Sequence, residues 1–163
     1  MKTNNIQKVV LSALFIALTV VFTTFISIPI GSQGGYINLG DSIIIIASII
    51  LGPVGGMIVG AIGSMISDLI LAPQYAIFTL FIKGIEGLLI GILNKRLKVY
   101  VSSLIGLLFM VIGYYFVGVI MYESFILPLI DTAFNLIQMF VCFIISLFIL
   151  SLLKKAKIKE LNI

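Results

Sequence analysis

The 163-residue sequence contains no histidine, no tryptophan, a single cysteine (Cys142) and few charges, 10 Lys/Arg and 6 Asp/Glu. Without histidine, a Ser-His-Asp or Cys-His nucleophile and histidine-based metal sites are excluded, and one cysteine cannot close a disulfide within the chain. Charged residues make up 10% of the chain and apolar ones 61%, against about 25% and 45–50% in soluble domains. A chain this small and apolar would aggregate in water, so it reads as a membrane protein. Six helical spans of about 20 residues would use about 120 residues, which leaves no room for a soluble ATPase or nucleotide domain.

Breaks in the apolar pattern place six spans at 8–30, 37–52, 53–71, 74–93, 99–122 and 128–153. The first is longer than a signal-peptide core and no small-residue cleavage site follows it, so it reads as a retained span. Gly52-Pro53 separates spans two and three, with the proline suited to a first helical turn. Lys2 and Lys8, then Lys95, Arg96 and Lys98, then Lys154, Lys155, Lys157 and Lys159 all fall on one side of a six-span chain. The positive-inside rule makes that side cytoplasmic. The expected fold is therefore an all-α integral membrane protein, a single six-helix bundle over 1–163 with both termini cytoplasmic. The net charge of +4 is then a topology signal in contact with the lipid bilayer, not a nucleic-acid footprint.

The remaining basic residue, Lys83, falls inside span four with Glu86 three positions on, so the two can pair along one helix face. An unpaired charge at mid-membrane costs about 2.5–3.5 kcal/mol, so the pair has a role. Either it locks neighbouring helices or it faces a hydrated cavity and touches a ligand. Thr79, Lys83 and Glu86 share one face of span four. Asp131, Asn135 and Gln138, continued by Cys142 and Ser146, share one face of span six, and Tyr115, Gly118 and Tyr122 one face of span five. Three faces at matching depth suggest a ligand cavity; interhelical hydrogen bonding is the plainer use of the same pattern. Cys142 by itself reads as core.

Small residues mark other contacts. Gly52, Gly56, Gly60 and Ser64 form a four-residue ladder expected to pack spans two and three together, and Ala13 and Ala17 form a small-xxx-small pair on span one. That pair suits internal packing or the surface of a different membrane protein. Asp41 is placed to cap span two and Asp68 to anchor the outer end of span three. The glycine-rich segment 31–40 carries Tyr36 and Asn38 and is either a connector or a lid over a ligand.

The run INLGDSIIIIASIILGPVGGMIVGAIGSMISDLI followed by FTLFIKGIEGLLIG closely resembles the substrate-binding (S) subunits of energy-coupling factor (ECF) vitamin transporters, in particular the riboflavin-transporter-type branch. Gly-Asp entering span two, Gly-Pro before span three, Gly-x-x-x-Gly and a closing Asp, Ile-Lys-Gly in span four and the Ala13–Ala17 pair carry the likeness. The resemblance implies a six-helix subunit in the bacterial plasma membrane that captures a vitamin or precursor from outside. It implies delivery through a transmembrane coupling subunit and two cytoplasmic ATPases on other chains, which use the ATP; this chain itself needs no cofactor. It further implies that Ala13 and Ala17 face the coupling subunit, that the loop after span one is a lid and that spans four to six line the pocket, with Asn135 matching a ligand-binding asparagine.

Asp41, Asp68, Glu123 and Asp131 in the outer half, against Lys83 alone, would repel a polyanion. The expected ligand is a neutral or cationic heteroaromatic such as pyridoxine, hydroxymethylpyrimidine or riboflavin, held by tyrosine stacking and by Lys83, Glu86, Asn135 and Gln138. A self-contained transporter or channel driven by an ion gradient, with Lys83, Glu86 and Asp131 as its relay, is the competing reading. A membrane enzyme lacks nucleophile–base partners and metal ligands.

Overall fold

The computed structural model describes residues 5–30 and 35–155. Lys2, Lys157, Lys159 and residues 31–34 of the expected lid lie outside the described residues. Helix α1 (Asn5–Phe25) ends five residues short of the predicted span. Pro29 explains this: its ring pushes Ile28 out of helical space and removes a backbone donor. The chain instead forms strand β1 (Ser27–Ile30), antiparallel to β2 (Gly35–Asn38), with Pro29 opposite Tyr36. The next helix consequently starts at Gly40, not at 37.

Helix α2 (Gly40–Ile58) is interrupted at Gly52, whose φ of 79° and ψ of −172° are open to glycine alone, and Pro53 follows. The two limbs fold back on each other there, since Gly56 abuts Ser48 and Gly60 abuts Ile44. In a straight helix residues 44 and 60 would stand about 24 Å apart. A π-helical turn (Val59–Gly63) carries the second limb into α3 (Ser64–Leu71), and a 3₁₀ turn (Pro73–Tyr75) leads to α4 (Ala76–Leu93). Helices α5 (Val99–Tyr122) and α6 (Pro128–Lys155) complete the bundle.

Among the described residues five helical stretches are long and apolar enough to cross a membrane, Gly40–Leu71 counting as one of 32 residues. The sequence reading divided that stretch in two at Gly52. By length the limb 40–51 is only about 18 Å of helix, short of the roughly 30 Å hydrocarbon core, so it does not qualify alone.

Packing is close where glycines meet backbone. A methyl group on Gly87 would overlap the Gly56 carbonyl, and one on Gly60 would overlap the Lys83 carbonyl. The glycine ladder expected to join spans two and three thus also seats α4 against them. The burial pattern is that of a protein in lipid. Ile44, Ile45, Ile90, Leu107 and Met110 fill the centre together with Asp41, Lys83, Glu86 and seven serines, while Phe81, Phe116, Phe140 and Phe148 face outward. Lys98 and Lys154 border one groove, so the α4–α5 connection and the end of α6 share one end of the bundle.

Candidate functional site

At the opposite end, the last turn of α1, the hairpin, α3 and the facing halves of α4, α5 and α6 enclose a cavity. Its walls include Thr23, Tyr36, Asn38, Ser64, Asp68, Tyr75, Thr79, Lys83, Tyr114, Asp131, Asn135 and Gln138, and the space between them, mouth included, is about 630 Å³.

Beneath it lies a buried polar network. Lys83 forms an ion pair with Asp41 and a second with Glu86 at 3.4 Å. The Gln138 amide donates to Asp41 Oδ2 (2.7 Å), and Gln138 Oε1 accepts the Asn38 backbone N–H (2.7 Å). The Cys142 thiol donates to the Asn38 carbonyl at 3.4 Å. This chain of contacts ties α2, α4 and α6 to strand β2. Its existence follows from the cost of burying charge: each group must find a partner when water is absent.

Asp41 therefore does not cap α2. The residue preceding the helix is Leu39, with no side-chain cap bond, and the Gly40 N–H is taken by Asn38 Oδ1 at 2.8 Å. Gly40 abuts the Thr23 hydroxyl, which places the start of α2 inside the bundle, so the next carboxylate is fully buried against Lys83 rather than exposed at a surface. Asp68 likewise is not an interfacial anchor. It is 4% exposed, lines the cavity and accepts a hydrogen bond from the Tyr36 hydroxyl. Burial first, and the neighbouring Asp68 charge second, raise the Tyr36 phenol far above its ordinary range, so Tyr36 remains a neutral donor holding the hairpin to α3.

Of the residues singled out from sequence, Tyr36, Asn38, Thr79, Lys83, Asp131, Asn135 and Gln138 meet at the cavity; Glu86, Tyr115 and Tyr122 do not line it. Glu86 is fully buried one helical turn behind Lys83. Tyr115 donates to the Phe125 carbonyl (3.2 Å) and packs edge-on against Phe116. Tyr122 donates to Asp131 Oδ2 (2.6 Å) and so positions a wall residue from behind. The α5 tyrosine that does line the cavity is Tyr114, bonded through its hydroxyl to Thr79 at 2.8 Å, with the Lys83 ammonium 5.5 Å from its ring centre. A one-residue shift turns a helix face by about 100°; the i, i+4 pair Tyr114–Gly118 carried the signal for the inward face. Tyr75, Thr23, Ser64 and Asp68 were also missed as wall residues. Asn135 also lines the cavity, beside Asp131 and Gln138 on the same face of α6.

Ala13 and Ala17 lie on an exposed face of α1 with Val10, Leu14 and Val21, away from the bundle. Internal packing, one of their two expected uses, is thereby removed. Among the described residues no group of three or more His, Cys, Asp or Glu side chains could hold a metal ion. The cavity wall combines tyrosines, carboxylates and amides.

An apolar exterior and several helices long enough to cross a bilayer define a multi-pass membrane protein, with a cavity inside one end of the bundle. The chain belongs to the family of ECF-type riboflavin transporter S components, whose family model matches residues 3–155. It is 35% identical over 124 residues, 75% of this chain and 73% of the relative, to the thiamine precursor transporter HmpT of Lactococcus lactis. An uncharacterised Pyrococcus woesei protein is 36% identical over 106 residues, 63% of this chain and 72% of its own length. A UPF0397 protein of Streptococcus thermophilus is 32% identical over 99 residues, 61% of this chain and 54% of the relative. The family and HmpT are transporters, not enzymes, and this chain is accordingly a transporter component of the membrane.

Proposed function

We propose that this chain is the substrate-capture subunit of an ATP-driven ECF-type importer, taking a vitamin or vitamin precursor from outside the cell. The observation that carries the reading is the cavity itself, walled by tyrosines and carboxylates and covered by the β1–β2 hairpin at the end remote from Lys98 and Lys154. The fold-back at Gly52 divides Gly40–Leu71 into two antiparallel limbs, the first a short one that enters the bundle without spanning the full hydrocarbon by itself. Counting both as spans gives six, with both termini and the basic segments on the cytoplasmic side of a bacterial plasma membrane. The ligand is a heteroaromatic compound, neutral or cationic. HmpT makes a thiamine precursor the first candidate, and the family makes riboflavin another. The hairpin serves as the lid, fixed by Tyr36 on Asp68 and by Asn38 on Gln138. The exposed Ala13–Ala17 face docks the coupling subunit, which two ATPases drive; small residues there let helices of two proteins approach closely.

The test is uptake into proteoliposomes carrying this chain with and without a coupling subunit and ATPases. Accumulation that requires both partners and internal-face ATP is expected. Accumulation by this chain alone under a proton or sodium gradient would contradict the proposal and favour an ion-driven carrier using Lys83, Glu86 and Asp131. Lys83 and Glu86 adjoin, while Asp131 is engaged by Tyr122, which gives the carrier reading little support.

A further inference from the structure

The cavity offers a ligand many acceptors and hardly a cation. Asp68 and Asp131 line it. Its one ammonium, Lys83, is already held by Asp41 and Glu86 and lies over the Tyr114 ring. Two carboxylates thus line the site, with Asp41 and Glu86 beneath it spent on Lys83, its committed ammonium. The Tyr36 phenol occupies one oxygen of Asp68 and the Tyr122 phenol one oxygen of Asp131. A carboxylate accepts up to about four hydrogen bonds, so those donors leave both able to receive a ligand. Tyr36 and Tyr75 add aromatic walls, whose faces attract positive charge, and the surrounding apolar bundle weakens screening of all these charges.

Given the vitamin-site reading above, on which this step rests, we infer that the ligand is a cationic or readily protonated amino-heteroaromatic ring. Its positive, donor-bearing edge lies between Asp68 and Asp131, and neutral and anionic vitamins are discriminated against. The carboxylates set specificity, and Lys83 holds the network beneath them rather than a ligand anion.

Titration calorimetry on the detergent-purified full chain tests this with one panel. Thiamine, pyridoxamine and 4-amino-5-hydroxymethyl-2-methylpyrimidine are the cationic or protonatable probes; riboflavin and pyridoxine are neutral; nicotinate, biotin, pantothenate and folate are anionic. The tightest ligand is expected in the first group. Asp131→Asn and Asp68→Asn should each weaken it by about 10- to 100-fold, the effect of one charge-assisted hydrogen bond. Tightest binding of a neutral or anionic compound overturns the inference and leaves the vitamin-site reading standing. A cationic ligand insensitive to both substitutions also overturns it. Binding of no compound overturns both readings. Should Asp68→Asn fail to fold, the ranking on the unaltered chain and Asp131→Asn still decide.

Discussion

Replacing Lys83 by methionine should unfold the bundle more readily than it alters any surface property. The substitution nearly conserves volume but leaves Asp41 and Glu86, both fully buried, without their cation. Asp41 keeps one amide donor from Gln138, whereas among the described residues the Glu86 oxygens have no hydrogen bond beyond the ion pair with Lys83. Removing one partner from a buried ion pair costs about 3–5 kcal/mol. At about 2–4 °C per kcal/mol for a chain of this size, the unfolding midpoint should fall on the order of 10 °C. The chain lacks tryptophan but supplies another reporter: Cys142 is its single cysteine and is fully buried, so a fluorogenic maleimide should label it only on unfolding. Heating the detergent-solubilised variant with such a dye gives the midpoint directly. Adding Asp41→Asn and Glu86→Gln to Lys83→Met removes the stranded charges and should recover most of the loss. An unchanged midpoint in Lys83→Met, or a triple variant no more stable than the single one, would refute the argument that this triad is a charge-balanced structural unit.

Other substitutions probe other levels of the account. Gly87→Ala should cost about 1–3 kcal/mol by overpacking, because the added methyl meets the Gly56 carbonyl where α2 and α4 touch; the maleimide midpoint reads it. Gly52→Ala meets no atom, so its expected cost of about 1–3 kcal/mol is purely conformational, and a neutral result would show that the limbs join without the positive φ. Tyr36→Phe removes the hairpin's bond to Asp68 and should speed ligand dissociation in a stopped-flow chase; an unchanged rate would mean the hairpin does not retain the ligand. Ala13→Leu and Ala17→Leu alter an exposed face of α1. They should leave ligand affinity intact while stopping ATP-dependent uptake in proteoliposomes, and normal uptake by both would show that this face is not the docking surface.

The membrane class and much of the cavity wall were legible because they follow from composition and helical spacing. Tyr36, Thr79, Lys83, Asp131, Asn135 and Gln138 were found by reading polar residues against an apolar background, where each charge is too costly to be incidental. What escaped was set by contacts remote in sequence. Asp41 looks like a cap from its position before an isoleucine run, and only the packing of Gly40 on Thr23 turns it onto Lys83, 42 positions away. Tyr114 and Tyr115 are adjacent, and α5 is apolar on nearly every side, so hydropathy gave no axis by which to choose between them. The end of α1 was misjudged for a local reason: Ile26–Ile30 is as apolar as a span, but its proline makes it a strand.

The central claim is that the cavity holds a vitamin-like compound. The most direct measurement is mass spectrometry of small molecules released when the detergent-purified protein is denatured. A heteroaromatic vitamin or precursor recovered at about one per chain, and lost from a Thr79→Phe variant that retains its unfolding midpoint, is the predicted result. Protein that is empty after purification, and remains empty after incubation with cell extract and with the vitamin panel, would contradict it.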